Sequence, residues 1–149
     1  MTTKDMMGKV STTVTGQQEG VTLQTLVSQL VAGIVPITVR RNNFLVNDIP
    51  AGLLIQADTE NLVTVLSNLF NSVIPYVQNS CLRITAKVFG NVVLVQLRDQ
   101  TGINSYFIEQ HLTDCLPLAE KMGGYIGITS QRDRETTIVF SFLNLRAVA

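Results

Sequence analysis

Residues 57–76 read ADTENLVTVLSNLFNSVIPY, and this stretch decides the fold. Leu62, Val65, Leu66, Leu69 and Val73 recur at three- and four-residue intervals, the spacing that gathers apolar side chains on one face of an α-helix. Asp58 stands where an N-cap belongs, its carboxylate able to accept from the first orphan backbone N–H groups. Pro75 has no N–H with which to continue the ladder and marks the end of the element. The stretch predicts a helix with one buried stripe, which needs a second layer to cover it.

The neighbouring residues supply that layer. Downstream, Leu82–Phe89 and Val92–Leu97 are strand-like runs joined by Gly90-Asn91, a hairpin link because glycine accepts the positive φ of a tight turn. Upstream, Leu23, Leu26, Val27, Leu30 and Val31 fall at helical spacing behind Thr22 as N-cap, and Pro36 with the polar run Arg40–Asn43 ends that element. Phe44–Val46 and Leu53–Ile55 read as short strands. Residues 104–122 read as a helix broken at Pro117, with Asp114 capping its second half and Gly123-Gly124 as the stop. Tyr125–Thr129 and Thr136–Leu143 form a closing antiparallel pair across the polar turn Gln131–Glu135. The expected class is α/β, more narrowly an α+β two-layer sandwich: a mixed sheet with two or three helices packed on one face.

A chain of 149 residues is one domain's worth, and 46 % hydrophobic residues suffice for a core. Residues 1–20, rich in Thr, Lys, Gln and Gly without a period, read as a flexible lead-in or linker stump, leaving 21–149 as the folded domain. Eleven basic and eleven acidic residues cancel, and no long basic run is present. Neither a nucleic acid nor an anionic membrane is therefore an expected partner. Cys81 and Cys115 have neither metal-ligand spacing nor a disulfide framework and read as buried thiols of a cytoplasmic protein. The N-terminus lacks the pattern of a signal peptide, and Leu26–Pro36 is too short to span a bilayer. The expected location is the cytoplasm, with attachment to a larger membrane-tethered sensor left open.

In order and spacing these pieces resemble the ATP-binding domain of sensor histidine kinases, the Bergerat fold of the GHKL superfamily that gyrase and Hsp90-type proteins share. The resemblance covers about Val21 to Leu143. Residues 57–76 are similar to the asparagine box, D-x-x-x-L-x-x-V-L-x-N-L-L-x-N-A-x-K-Y/F. Val21-Thr22-Leu23 with its helix is similar to the family's first helix. Leu97-Arg98-Asp99 with Gly102 resembles the first glycine box, D-x-G-x-G, and Glu120–Phe142 resembles the closing helix end, double glycine and terminal hairpin. The resemblance implies that Asp99 accepts a hydrogen bond from an adenine amino group and that Gly102 lets backbone approach the nucleotide. It implies that Asn68 holds Mg²⁺, with Ser72 at the second asparagine position and Thr136 beside the base.

The departures fall at the phosphate end. Ser72 replaces the second asparagine in the register that also sets Tyr76 on the family's aromatic; a shift by one offers Asn71 instead but spoils the apolar stripe. Pro75 stands in place of the lysine, Gln100-Thr101 in place of the glycine step, and Glu135 in place of the glycine before Thr136. Residues 109–112, where a second glycine box belongs, contain no glycine, and the lid segment between Asp99 and Gly123 is short. Asn68 alone is not a metal site and reads more simply as a solvent-facing helix residue; for Asp99 the remnant and the plain strand-ending readings both stand. His111, the only histidine, lacks a phosphoacceptor motif and reads as a packing residue.

The expectation is a degenerate, pseudokinase-type ATP-binding domain of two-component signalling with no assigned catalytic residue. It takes no cofactor, ATP and Mg²⁺ entering only if the site still functions. Its partners would be a histidine-bearing helical hairpin or a response regulator. The alternative is a divergent but active domain that phosphorylates a histidine on a separate hairpin.

Overall fold

Thr22 opens the first helix: its side chain accepts from the Thr25 backbone N–H at 3.2 Å, and α1 runs Leu23–Gly33 with Leu23, Leu26 and Val27 buried. The computed structural model describes residues 20–100, 110–131 and 135–145. Pro36 does not end this element. It lies in the first turn of a second short helix, α2 (Val35–Arg40), where a missing N–H costs nothing because no intrahelical acceptor awaits it. Strand β1 follows at Phe44–Asn47.

The expected strand at Leu53–Ile55 is reduced to one isolated bridge, Thr22 to Leu54. Leu23 N donates to Leu53 O and Ile55 N to Val21 O, both at 2.9 Å. The segment thus pairs with the approach to α1, and pairing stops because the chain coils into a helix at Leu23.

Helix α3 (Thr59–Val73) is capped by Asp58, whose Oδ1 accepts from Glu60 N at 3.0 Å and Asn61 N at 3.3 Å. The whole predicted stripe is buried, and Phe70 joins it. A 3₁₀ turn, Ile74–Tyr76, carries Pro75. Strands β2 (Cys81–Phe89) and β3 (Val92–Asp99) form the hairpin, with Gly90 at φ 60°. After a 3₁₀ turn at Thr113–Cys115 comes α4 (Leu116–Lys121), then β4 (Tyr125–Gln131) and β5 (Glu135–Leu143). Asp114 caps neither helical piece. It lies inside the 3₁₀ turn, Cys115 is the N-cap of α4 without a side-chain bond, and Pro117 occupies the first turn of α4. Residues 104–109 of the expected helix lie outside the described residues, while 110–112 are helical.

The five strands form one sheet in the order β1-β2-β3-β5-β4, with β1 and β2 parallel and the other pairs antiparallel. Side chains alternate across it with period two. Val93, Val95, Leu97 and Asp99 on β3, and Thr136, Ile138, Phe140 and Phe142 on β5, are buried with the stripes of α1 and α3. Each large apolar side chain so enclosed contributes about 1.5–3 kcal/mol.

Gly123 and Gly124 join the helical layer to β4 for two separate reasons. Gly123 ends the helix at φ 72°, a left-handed conformation that other residues adopt at a cost. At Gly124 a side chain would run into the Ser141 carbonyl of β5. Beyond β5, Asn144 Oδ1 accepts from Gln56 N at 2.7 Å and Ala57 N at 3.2 Å, while its Nδ2 donates to Leu54 O at 2.9 Å. That side chain fixes the approach to α3 against the end of the sheet.

Candidate functional site

Strand register brings the first two candidates together. Asp99 ends β3 and pairs directly with Thr136 of β5, so both side chains project from the helix-facing side of the sheet. Both are fully buried. The Ser80 hydroxyl, at the threshold of β2, donates to Asp99 Oδ1, and Ser80 is 2 % exposed. Thr136 Oγ1 is buried with no hydrogen-bond partner among the described residues, a state that costs about 1–3 kcal/mol for a hydroxyl.

Two turns hold Ser80 in that position. Asn42 and Asn79 both adopt left-handed backbone, at φ 59° and 55°, and asparagine tolerates that region better than most residues. Asn42 Nδ2 donates to Asn79 Oδ1 at 2.8 Å, and Asn79 N donates to Arg41 O at 3.1 Å. The buried Asn43 accepts from Ser80 N at 3.0 Å and donates to Val77 O at 3.2 Å. Adjacent β1 and β2 therefore start from a zipped pair of asparagine turns. Ser80 and Asn43 escaped the sequence reading, and the only signal for them was the pairing of Asn42-Asn43 and Asn79-Ser80, each just before a strand.

The other candidates lie on α3. Asn68 is exposed, and Ser72, one turn on, donates its hydroxyl to the Asn68 carbonyl at 2.7 Å. The His111 carbonyl is a second acceptor for the same proton at 3.3 Å. The Tyr76 and His111 rings stack at 4.2 Å with 15° between their planes. The segment that starts at residue 110 thus closes against the end of α3 and its 3₁₀ turn. Burial pushes the Cys115 thiol above its ordinary pKa; a hydrogen bond with Ser72 opposes that rise and the Asp114 carboxylate adds to it.

No protein-family model matches the sequence, and no curated protein matches it. Solved structures do. The nucleotide-free catalytic domain of histidine kinase ThkA is 17 % identical, over 85 % of this chain and 95 % of its own, at a TM-score of 0.71. Acinetobacter baumannii histidine kinase AdeS is 16 % identical over 83 % of this chain, at a TM-score of 0.67. Full-length ShkA, in complex with AMPPNP, is 18 % identical over 88 % of this chain, at a TM-score of 0.73.

The chain has the fold of a histidine-kinase catalytic domain. It spans 66 % of the AdeS structure and 32 % of full-length ShkA.

Within the histidine-kinase fold, Asp99 and Thr136 meet at the buried end of the sheet, and Asn68 and Ser72 lie one turn apart on α3. Gly102 lies outside the described residues. Glu135, which stands in place of the family's glycine before Thr136, points away from Asp99. It alternates with Thr136 along β5, so its carboxylate projects from the outer face, 3.8 Å from Arg98 Nε. It is paired with a cation there instead of facing the Asp99 side. His111 packs on Tyr76, as expected of a packing residue. Two clefts among the described residues lie elsewhere. One of about 460 Å³ borders β4, and one of about 410 Å³ sits by Asp58, Asn61 and Lys121. Among the described residues no helix is long and apolar enough to cross a membrane.

Proposed function

We propose that this chain is a catalytic-type domain of two-component signalling whose nucleotide site is degenerate, and that it acts through protein contacts. The observation that carries this reading is the closure of both ends by the protein's own groups. Asp99 and Thr136 have no exposed surface and Ser80 donates to the Asp99 carboxyl, while Ser72 spends its hydroxyl on main-chain carbonyls. A magnesium-bound triphosphate needs several oxygen donors free to turn toward the metal. Asn68 offers a single side-chain amide, Ser72 is committed, and Pro75 carries no charge, so the donor set does not fit that group. ThkA, of the same fold, is known in complex with the response regulator TrrA. By that likeness the partner here is a response regulator or a histidine-bearing helical hairpin, met in the cytoplasm.

The active reading draws on one observation, the buried Thr136 hydroxyl, which lies beside Asp99 and has no partner among the described residues. Calorimetric titration with ATP and MgCl₂, paired with a melting curve, separates the two. The degenerate site gives no heat and no shift in Tm at nucleotide concentrations of about 1 mM, whereas micromolar binding overturns the proposal.

A further inference from the structure

The two edges of the sheet differ in how they are guarded. An edge strand presents unpaired backbone N–H and C=O groups, and monomeric proteins blunt such edges with short strands, charges, prolines or bulges. Strand β1 has four residues and is followed at once by Asp48, which pairs with Arg83 at 2.9 Å. Strand β4, at the other edge, has seven residues, YIGITSQ, with no charge and no proline. Beside it lies the cleft of about 460 Å³, lined by Leu112, Leu116, Tyr125, Ile126, Ile128 and Val139 among others, none of them charged. Tyr125 is 59 % exposed there.

We propose that β4 is a self-association edge: two copies of this chain pair β4 with β4 antiparallel across a two-fold axis, joining two five-stranded sheets into one. Charge argues for a second copy as the occupant. In an isologous contact each patch meets itself, so a charged strand would set like against like, and β4 has nothing to repel. The chain as a whole carries a formal net charge of zero, which removes the longer-range barrier between identical molecules. Strand pairing alone buries less than the roughly 1,200 Å² of a stable interface. The apolar cleft beside β4 supplies the remainder, with Tyr125 of each copy covering the cleft of the other. This inference stands apart from the nucleotide reading and holds whether or not ATP binds.

Sedimentation of the full chain across about 1 to 200 μM tests it, since a dimer formed this way dissociates on dilution. Dimer at the upper end is expected. Thr129 is exposed on β4, so Thr129→Lys and Thr129→Glu should each weaken dimerisation at least tenfold, with far-UV circular dichroism unchanged and Tm unchanged at about 1 μM, where the unaltered chain is monomeric too. Mixing the two variants should restore dimer, because opposite charges then face each other across the axis. A monomer throughout that range overturns the proposal, including the case in which it captures an extended peptide from another protein. So does a dimer indifferent to both variants, or growth past the dimer into open polymers.

Discussion

Two groups of polar residues that a nucleotide site would bring together sit in opposite physical circumstances here. At the end of the sheet, Asp99, Thr136 and Ser80 lie inside the protein, and the Ser80 hydroxyl donates to the Asp99 carboxylate. On α3, Asn68 faces water and Ser72 bonds back to its own helix. A buried polar residue is held by its partners, because its removal strands them away from solvent. An exposed one can be exchanged with little consequence for folding. Under the degenerate reading proposed above, the contrast accounts for a carboxyl at the position that the resemblance assigns to the base, beside serine and proline at those it assigns to the phosphates. Folding would hold the first, and only function would have held the second.

The largest effect should come from breaking the buried group. Asp99→Ala leaves the Ser80 hydroxyl without its acceptor in a place water does not reach, and it should cost about 2–3 kcal/mol in urea denaturation. Ser80→Ala should cost less, since it removes only one of the groups that Asp99 meets. The double variant should fall short of the sum, with a coupling of about 1 kcal/mol. Strict additivity would mean that the cluster is not a unit, and the contrast between the two regions would lose its physical basis.

Periodicity and caps made most of the fold legible. The α3 stripe, the Thr22 and Asp58 caps, the β2–β3 hairpin and the final strand alternation are each local signals, read correctly because local preference and tertiary packing agree. The failures have a common form. The sequence reading gives Pro36 and Asp114 a role within one helix, whereas each lies at a junction between two helical pieces. Leu53–Ile55 has strand composition, but among the described residues it makes one bridge, Thr22 to Leu54, before the chain coils into α1. At the candidate site, a residue's type could be matched to a motif, whereas its face and depth could not. Glu135 is one residue from Thr136, yet on the opposite side of the sheet. Ser80 and Asn43 matter through contacts across 19 and 37 residues of sequence, which no window detects.

A smaller effect probes the dry side of α3. Cys115 is buried next to Ser72, and burial is the main cause that holds its thiol above the ordinary thiol range. Because the folded pKa is raised, the unfolded chain loses its thiol proton first as pH climbs. The stabilising contribution is therefore complete below the unfolded pKa and is lost as pH rises through the folded one. Stability should fall above about pH 9, and Cys115→Ala should flatten that fall when denaturation is repeated across pH. At pH 8, the half-buried Cys81 should react with a thiol reagent before Cys115 does. Equal rates would place Cys115 in contact with solvent and open the closure that Tyr76 and His111 make.

The smallest expected effect is the one that sharpens the comparison most. Asn68 is exposed, and the Ser72 hydroxyl meets it at its backbone carbonyl, not at its side chain. Replacing the side chain with alanine leaves that carbonyl untouched and exchanges a residue of poor helix propensity for the best. Asn68→Ala should therefore change stability by no more than about 0.5 kcal/mol, with the gain side favoured. It should also leave any response to ATP and Mg²⁺ where the unaltered chain has it. Asp99→Ala and Asn68→Ala each remove one side chain that the kinase fold would assign to the nucleotide, so a site still in use would suffer binding losses from both. A site held together by folding alone responds to Asp99→Ala in denaturation, is silent to Asn68→Ala in every assay, and thereby separates burial from function as the reason each residue is there.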